Sequence, residues 1–485
     1  MVMLVIIVLL AGMASPPQRA GAADDPAALA RAAQAAERRD DFPAAVRAYR
    51  LLATQFPHNA EVQSNLGVAL YFNHKLPQAL DTFRKAIALD PNLLAPHLFS
   101  GLAWFRLSNP DAAVPELEKA VSIHPSDVLA RTWLGYAYTS QWQYQSAVKQ
   151  FEAASELDPA NLDVWYALGE AWLQIGEDAI YKLLATAPDG ARVWELAGEQ
   201  CQLRGQNRQA LDDFEQAYAR RPGIPGLRSL IVNLGGTPKA AVADASTENT
   251  SAEDALYAEA HHAEEESAKA FDQVVRLGPD SYRAHEILAD SLVARGQDLQ
   301  AIQEYRAVLK LKPDLPGIHE EIGKALLRSG RMQEALQEFQ AELQIQPESA
   351  AAHMYAGRVL LMQGHDEAAG KMLTAAFHED RPPLETWVLM AKIDLRHEEA
   401  HQAIPLLTHY IAQQKEDSTA YYLLFLAYRD VGDREGSRQA MEMYMKTSRD
   451  RKERNAARKQ LEQIEDEMRI SDDPSQQLSR PSVRN

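Results

Sequence analysis

Cysteine and positive charge are both scarce in this chain, and each shortage excludes a class of protein. The 485 residues contain one cysteine, Cys201, so an internal disulfide cannot form and a disulfide-framed domain is excluded. Lysine and arginine total 50 against 68 aspartates and glutamates, which gives a formal net charge of −18. A chain this acidic repels a nucleic-acid backbone, so no nucleic-acid partner is expected.

Long apolar runs are scarce as well. Residues Val2 to Ala14 are almost all apolar, but a run of about 13 residues is too short to span a bilayer. Ala20-Gly21-Ala22 follows, a small-x-small cleavage pattern. We therefore expect a signal peptide over residues 1–22 and a periplasmic or secreted bacterial protein. A membrane anchor that stays uncleaved is the alternative.

The chain is rich, by contrast, in a pattern that recurs about every 34 residues. A glycine is followed by a small alanine, by a large residue four positions later, and by a closing proline. The glycine and the alanine let two helices cross closely, the large residue fills the gap, and the proline ends the second helix. Clear copies contain Leu134-Gly135, Tyr138, Ala147, Phe151 and Pro159; Leu66-Gly67, Ala79, Phe83 and Pro91; and Gly323, Ala335, Phe339 and Pro347.

This pattern resembles the tetratricopeptide repeat family over roughly residues 26–446. The resemblance implies an all-α protein, a right-handed α-solenoid superhelix of stacked antiparallel helix pairs. It also implies binding of a protein or peptide segment along the concave face. Together with the expected signal peptide, it leads to the hypothesis of an exported scaffold without enzymatic activity. A periplasmic adaptor for polysaccharide or outer-membrane export is a second hypothesis.

The repeat phase breaks in two places. Trp165 and Trp194 are closer than a full step, which predicts a trimmed second helix near Ala179–Ala187. Small and polar residues then fill 235–251, which predicts a linker. The predicted order is a signal peptide at 1–22, about six repeats in 23–234, a linker at 235–251, about six repeats in 252–446, a polar capping helix at 447–470 and a disordered tail at 471–485.

Ligand contacts in the family fall near the second, fifth, ninth, twelfth and thirteenth residues of each repeat. Transferred to this sequence, these positions predict a groove that changes from aromatic through acidic to basic. The predicted groove residues are Tyr71, Phe72, Leu98, Leu102, Phe105, Tyr136, Tyr166, Glu170, Glu195, Glu199, Glu286, Asp290, Lys324, Arg328, Arg358, Lys392 and Arg396.

One motif points to different chemistry. The stretch from His397 to His401 matches H-E-x-x-H, in which two histidines on one helix face bind zinc and Glu398 acts as a base. The repeat register places a turn between the two histidines, so a zinc metallopeptidase is only a remote alternative. We expect no enzymatic activity, no metal and no cofactor. Membrane contact is expected only through an uncleaved N terminus or the basic C-terminal helix, and the oligomeric state stays open.

Overall fold

The computed structural model describes residues 25–239, 250–379, 382–448, 458, 460 and 461. Within these residues the chain forms 23 helices and no strand, which confirms the all-α prediction. The predicted signal peptide, capping helix and tail lie wholly or mostly outside them, as do residues 240–249 of the predicted linker. Two compact units divide the chain, Met1–Ala284 and His285–Asn485.

The helices pair in sequence order, with one exception described below. In the first unit they are α1 (Pro26–Glu37), α2 (Phe42–Gln55), α3 (Ala60–Phe72), α4 (Leu76–Leu89), α5 (Leu94–Arg106), α6 (Pro110–Ile123), α7 (Val128–Ser140), α8 (Tyr144–Leu157), α9 (Leu162–Thr186), α10 (Ala191–Leu203), α11 (Asn207–Arg220), α12 (Leu227–Asn233) and α13 (Thr250–Leu277). Helix α14 (Tyr282–Ala294) begins at the boundary. The second unit continues with α15 (Asp298–Leu311), α16 (Ile318–Arg328), α17 (Met332–Ile345), α18 (Ala350–Met362), α19 (Asp366–His378), α20 (Glu385–Arg396), α21 (Ala400–Gln413), α22 (Ser418–Asp430) and α23 (Arg434–Thr447).

A glycine–aromatic contact joins the two helices of a pair. A Cβ atom added to Gly67 would lie 2.4 Å from the ring of Phe83, and one added to Gly135 would lie 2.5 Å from Phe151. Both rings are fully buried. Only a residue without a side chain allows this approach, so the sequence pattern records a packing requirement.

The fourth residue of a repeat ties the helix pair to the pair before it. Its side chain bonds to the carbonyl of the proline that closes the preceding repeat, a group that no helix hydrogen bond satisfies. The residue type varies, but the contact recurs four times. The pairs are Gln63 Nε2 to Pro57 O at 3.3 Å, His97 Nε2 to Pro91 O at 3.1 Å, Arg131 Nε to Pro125 O at 2.6 Å, and Trp165 Nε1 to Pro159 O at 2.9 Å.

Curvature follows from which helices meet between pairs. In the first unit the first helices of successive pairs contact one another, α3 with α5, α5 with α7, and α7 with α9. The same holds in the second unit for α16, α18, α20 and α22. The first helices therefore line the inner side of each stack, which is the concave side of a solenoid.

The fifth pair is interrupted. Helix α9 does not pair with the helix that follows it; it packs along its length against α13. A Cβ atom on Gly169 would lie 2.4 Å from the ring of Phe271, the same contact that Gly135 makes with Phe151. Gly169 and Phe271 stand 102 positions apart where the other pairs stand 16 apart, so 86 extra residues separate the halves of one repeat.

The expected trimmed helix near Ala179–Ala187 is therefore wrong. Helix α9 is one continuous helix of 25 residues, and Ile175, Ala179 and Leu183 on its added turns are buried. Helices α10 and α11 form a complete inserted pair, with Gly198 against Phe214 as its own glycine–aromatic contact. Helix α13 belongs to the first unit, so the boundary between the units falls between Ala284 and His285 rather than at residues 235–251.

In the interrupted repeat a buried serine, Ser267, stands where other repeats have alanine. It occupies the position that Ala147 and Ala210 hold in other repeats, it is 1% exposed, and its hydroxyl has no hydrogen-bond partner among the described residues. A buried hydroxyl without a partner destabilises a protein by roughly 1–3 kcal/mol. Ser267→Ala should therefore stabilise the first unit by about 1 kcal/mol, measured by native-state hydrogen exchange of α9 and α13 amides.

A matched control comes from the second unit. Ser437 holds the equivalent position and is also buried, but its hydroxyl donates to the Asp433 carbonyl at 2.7 Å. Ser437→Ala should bring no gain. Equal effects of the two substitutions would mean that the missing partner of Ser267 has no energetic weight.

Candidate functional site

The inner helices of the first unit carry a series of aromatic side chains. Phe72 is 41% exposed and stacks on Phe42 with ring centroids 5.1 Å apart. Phe105 lies edge-on to Trp133 at 5.3 Å, and Trp133 lies edge-on to Tyr136 at 5.6 Å. These rings are partly exposed on the concave side, and each is held in place by another ring.

Not every predicted aromatic or apolar groove residue is accessible. Tyr71, Leu98 and Leu102 are buried between helices, with at most 6% exposure. Burial raises the pKa of the Tyr71 hydroxyl, and Arg106, which lies 4.6 Å above the ring centroid, opposes that rise. The three buried residues therefore contribute to packing between helices. The accessible apolar surface of the groove comes from Phe72, Phe105 and Tyr136.

A polar cluster lies next to these rings. The guanidinium of Arg283 lies 3.9 Å from the Tyr166 ring centroid, and its Nε donates to Asp163 at 3.1 Å. The hydroxyl of Tyr282 donates to the same carboxylate at 2.6 Å. Burial raises the pKa of Tyr136, with Arg283 lowering it and Asp163 raising it. Arg283 and Asp163 were not predicted, although both hold the second position of a repeat.

The predicted acidic residues lie on different parts of the chain. Glu195 and Glu199 lie on α10 of the inserted pair, whereas Glu286 and Asp290 lie in the second unit. Asp290 accepts a hydrogen bond from the buried Tyr305 hydroxyl. Desolvation by the surrounding protein atoms raises the pKa of Asp290 to about 6. The carboxylates of Glu286 and Glu321 add to this rise, whereas the hydrogen bond from Tyr305 opposes it. The Asp290 side chain nevertheless retains access to solvent.

The predicted basic residues of the second unit are largely neutralised by neighbours. Arg328 pairs with Asp298 at 2.8 Å, and Arg396 pairs with Asp366 at 2.7 Å. Arg358 and Lys324 have carboxylate partners too, Glu385 at 3.1 Å and Glu320 at 2.6 Å. A reversal of Arg328 to Glu would thus place two carboxylates together, so it is a poor probe of ligand binding. Lys392 is half-buried on α20.

The H-E-x-x-H stretch is broken by a turn. Helix α20 ends at Arg396, Glu398 has a φ of 62°, and α21 begins at Ala400. His397 and His401 therefore do not share the face of a continuous helix, which the metallopeptidase arrangement requires. Across the described residues no group of three or more histidine, cysteine or acidic side chains is arranged to hold a metal ion.

Histidines at the fourth position of three repeats contact a glutamate on the second helix of the same pair. The Nδ1 atoms of His97, His285 and His319 lie 2.6–2.7 Å from Glu116, Glu304 and Glu338 respectively. Each glutamate lies on the second helix of its pair, 19 positions later. Cys201 lies 3.4 Å from Asp213, and burial first, then that carboxylate, raises the pKa of the thiol.

An inter-helix contact that the sequence did not reveal surrounds Glu195 and Glu199. Arg192 bonds to Glu195 at 2.6 Å, and the Tyr257 hydroxyl of α13 donates to Glu199 at 2.7 Å. His261 lies 3.3 Å from Glu199. Burial raises the pKa of Glu195 despite Arg192, and the Glu199 carboxylate raises the pKa of His261.

Three models of known protein families match segments of this chain. A family model described as TPR repeat matches residues 135–176 and 289–330, and two described as tetratricopeptide repeat match residues 30–93 and 326–393. The matched segments of the chain are tetratricopeptide repeats.

One curated relative and several solved structures are similar to this chain. Small glutamine-rich tetratricopeptide repeat-containing protein 2 of Mycosarcoma maydis is 34% identical over 85 residues, 17% of this chain; the chain spans about a quarter (24%) of the length of that relative. Yeast Tom70 is 13% identical with a TM-score of 0.37, covering 93% of this chain and 97% of Tom70. TTC0263, a thermophilic TPR protein in Thermus thermophilus, is 16% identical with a TM-score of 0.35, covering 56% of this chain and all of TTC0263.

A helix that crosses a bilayer must be both long and predominantly apolar. Among the described helices, none combines the length and the apolar character needed to cross a bilayer.

Proposed function

We propose that this protein is an exported, non-enzymatic scaffold that holds a protein or peptide segment along the inner helices of its first unit. The observation that carries the proposal is the series of partly exposed rings on α3, α5 and α7. A folded protein that leaves aromatic side chains accessible on a concave surface offers anchoring sites for apolar side chains of a partner.

The inner surface suits a segment more than a small molecule. The rings of Phe72, Phe105 and Tyr136 come from three successive repeats, so an occupant must extend across several helices. Arg283 and Asp163 pair with each other beside the last of them, which leaves a polar edge next to an apolar surface. Such an arrangement fits a peptide with apolar anchors at intervals along its length.

Phe72→Ala with Phe105→Ala should weaken partner binding about tenfold or more, since truncating aromatic anchors removes most of their contact area. The measurement is capture of partners by the mature protein from its native envelope fraction, followed by titration of the captured partner. Far-ultraviolet circular dichroism should show unchanged helix content.

The matched control removes two exposed rings elsewhere. Trp142 lies in a turn and is 67% exposed, and Tyr181 lies on the added turns of α9 and is 74% exposed. Trp142→Ala with Tyr181→Ala should leave binding unchanged. Equal losses in the two double variants would remove the inner rings from the binding site. Recovery of the protein only from the cytoplasmic fraction would contradict the proposed export.

A further inference from the structure

The inserted helix pair has its own inner face, and another helix of the chain covers it. Arg192, Glu195 and Glu199 hold the second, fifth and ninth positions of the repeat that α10 opens. These are the positions that line the groove in other repeats. All three face α13 across the insertion.

The contact with α13 is polar and brings together oppositely charged groups. Asp254 accepts from Arg192 Nε at 2.6 Å and from Arg221 Nη2 at 2.6 Å. The Tyr257 hydroxyl donates to Glu199 at 2.7 Å, and the Arg192 guanidinium lies 4.3 Å from the centroid of the Tyr257 ring. His261 completes the set at 3.3 Å from the same Glu199.

The three α13 residues share one helix face. Asp254, Tyr257 and His261 are spaced by three and then four positions, which places them in line along a helix. This is the spacing at which a helical peptide presents anchors to a groove. The apolar packing of the inserted pair lies elsewhere, between Gly198 and Phe214.

Desolvation makes the contact selective. The side chains of Arg192 and Glu195 are 13% and 5% exposed, so their charges are largely removed from water. A buried charge that loses one partner is strongly destabilised, and a segment without the right acceptors is therefore rejected.

We propose that residues 254–261 of α13 are a built-in ligand for the inner face of α10. The inserted pair is then a second recognition site, distinct from the aromatic surface of the first unit and closed by its own chain. When residues 254–261 leave this site, the inner face of α10 binds a helical peptide with the same side-chain arrangement instead. That peptide carries a carboxylate, a phenol three positions later, and an imidazole or ammonium four positions beyond.

The test uses a labelled synthetic peptide of residues 250–265 and the full-length protein. In the wild type the covalently attached α13 competes at a high effective concentration, so the free peptide should bind weakly. Asp254→Asn with Tyr257→Phe in the protein removes the charge and the hydroxyl with almost no change of shape. We expect that variant to bind the peptide at least tenfold more tightly than the wild type.

Two controls locate the binding. A peptide with the same two substitutions should not bind, and adding Arg192→Gln to the opened protein should abolish binding of the unmodified peptide. Hydrogen exchange should show α10 and α11 still protected. Equal peptide binding by the wild type and the opened variant would overturn the proposal, as would loss of protection throughout α10 and α11, since the contact would then be a structural support of the insertion.

Discussion

Deletion of residues 175–260, with His262→Gly in the new turn, should leave a stably folded protein. The 86-residue deletion restores the spacing of 16 between Gly169 and Phe271 that uninterrupted repeats have. In the deletion variant Gln174 becomes the last residue of a first helix, the position that Ser140 has in α7. Glu264 becomes the first residue of a second helix, the position that Tyr144 has in α8. The glycine supplies the positive φ that Gly205 and Gly330 adopt at equivalent turns.

The expected cost of this deletion is small because repeats contact chiefly their neighbours. The bond from the Tyr144 hydroxyl of α8 to Gln174 of α9 precedes the deletion, and Phe271 and Val274 follow it. We expect the melting temperature to fall by no more than about 5 °C, which corresponds to about 1–2 kcal/mol in a domain of this size. Circular dichroism during heating measures it.

A deletion of 178–260 is the matched control. It removes three fewer residues, so the second helix returns almost one helical turn out of register. Phe271 no longer meets Gly169, and the buried contact should be lost at about 3 kcal/mol or more. If both deletions were equally harmful, the 86 residues would be an essential part of the repeat and not an insertion.

Gly169→Val should destabilise the packing of α9 against α13 by about 3 kcal/mol. The added side chain would overlap the Phe271 ring, since a Cβ atom alone lies 2.4 Å from it. Native-state hydrogen exchange of α9 and α13 amides measures the change locally, which suits a repeat protein whose unfolding need not be two-state.

Gly135→Val provides the comparison for Gly169→Val. Gly135 makes the equivalent contact with Phe151 in an uninterrupted pair, so the two losses should agree within about 1 kcal/mol. Gly205→Val isolates backbone strain, because Gly205 has a φ of 71° and nothing lies within 4 Å of an added Cβ. A Gly169 variant with no more effect than ordinary surface substitutions would remove the proposed pairing.

The repeat pattern predicted most of the helix pairs because it records contacts that are local in sequence. Gly67 and Phe83, or Gly323 and Phe339, lie 16 positions apart, within reach of a pattern search. The partner of Gly169 escaped because it lies 102 positions away. A signal was present: Ser267, Phe271 and Pro279 hold the positions of Ala147, Phe151 and Pro159.

The groove was harder to predict than the fold, because accessibility and charge depend on neighbouring helices. Leu98 and Tyr71 hold ligand positions but are buried by adjacent repeats. Arg328 and Arg396 hold them too, but each pairs with an aspartate 30 positions earlier in the chain. Position in the repeat identifies the inner helix, whereas the occupants of the space around each side chain are set by the packing of several helices.

The pairing of α9 with α13 is the central claim, and a double-mutant cycle between Gly169 and Phe271 tests it most directly. Gly169→Ala with Phe271→Leu recreates the Ala391–Leu407 combination that occupies the equivalent positions in the second unit. The two substitutions should be coupled by about 1 kcal/mol, each relieving part of the cost of the other. Additive effects, or equal coupling of Gly169 to Ala185, the residue 16 positions later, would contradict the interrupted repeat.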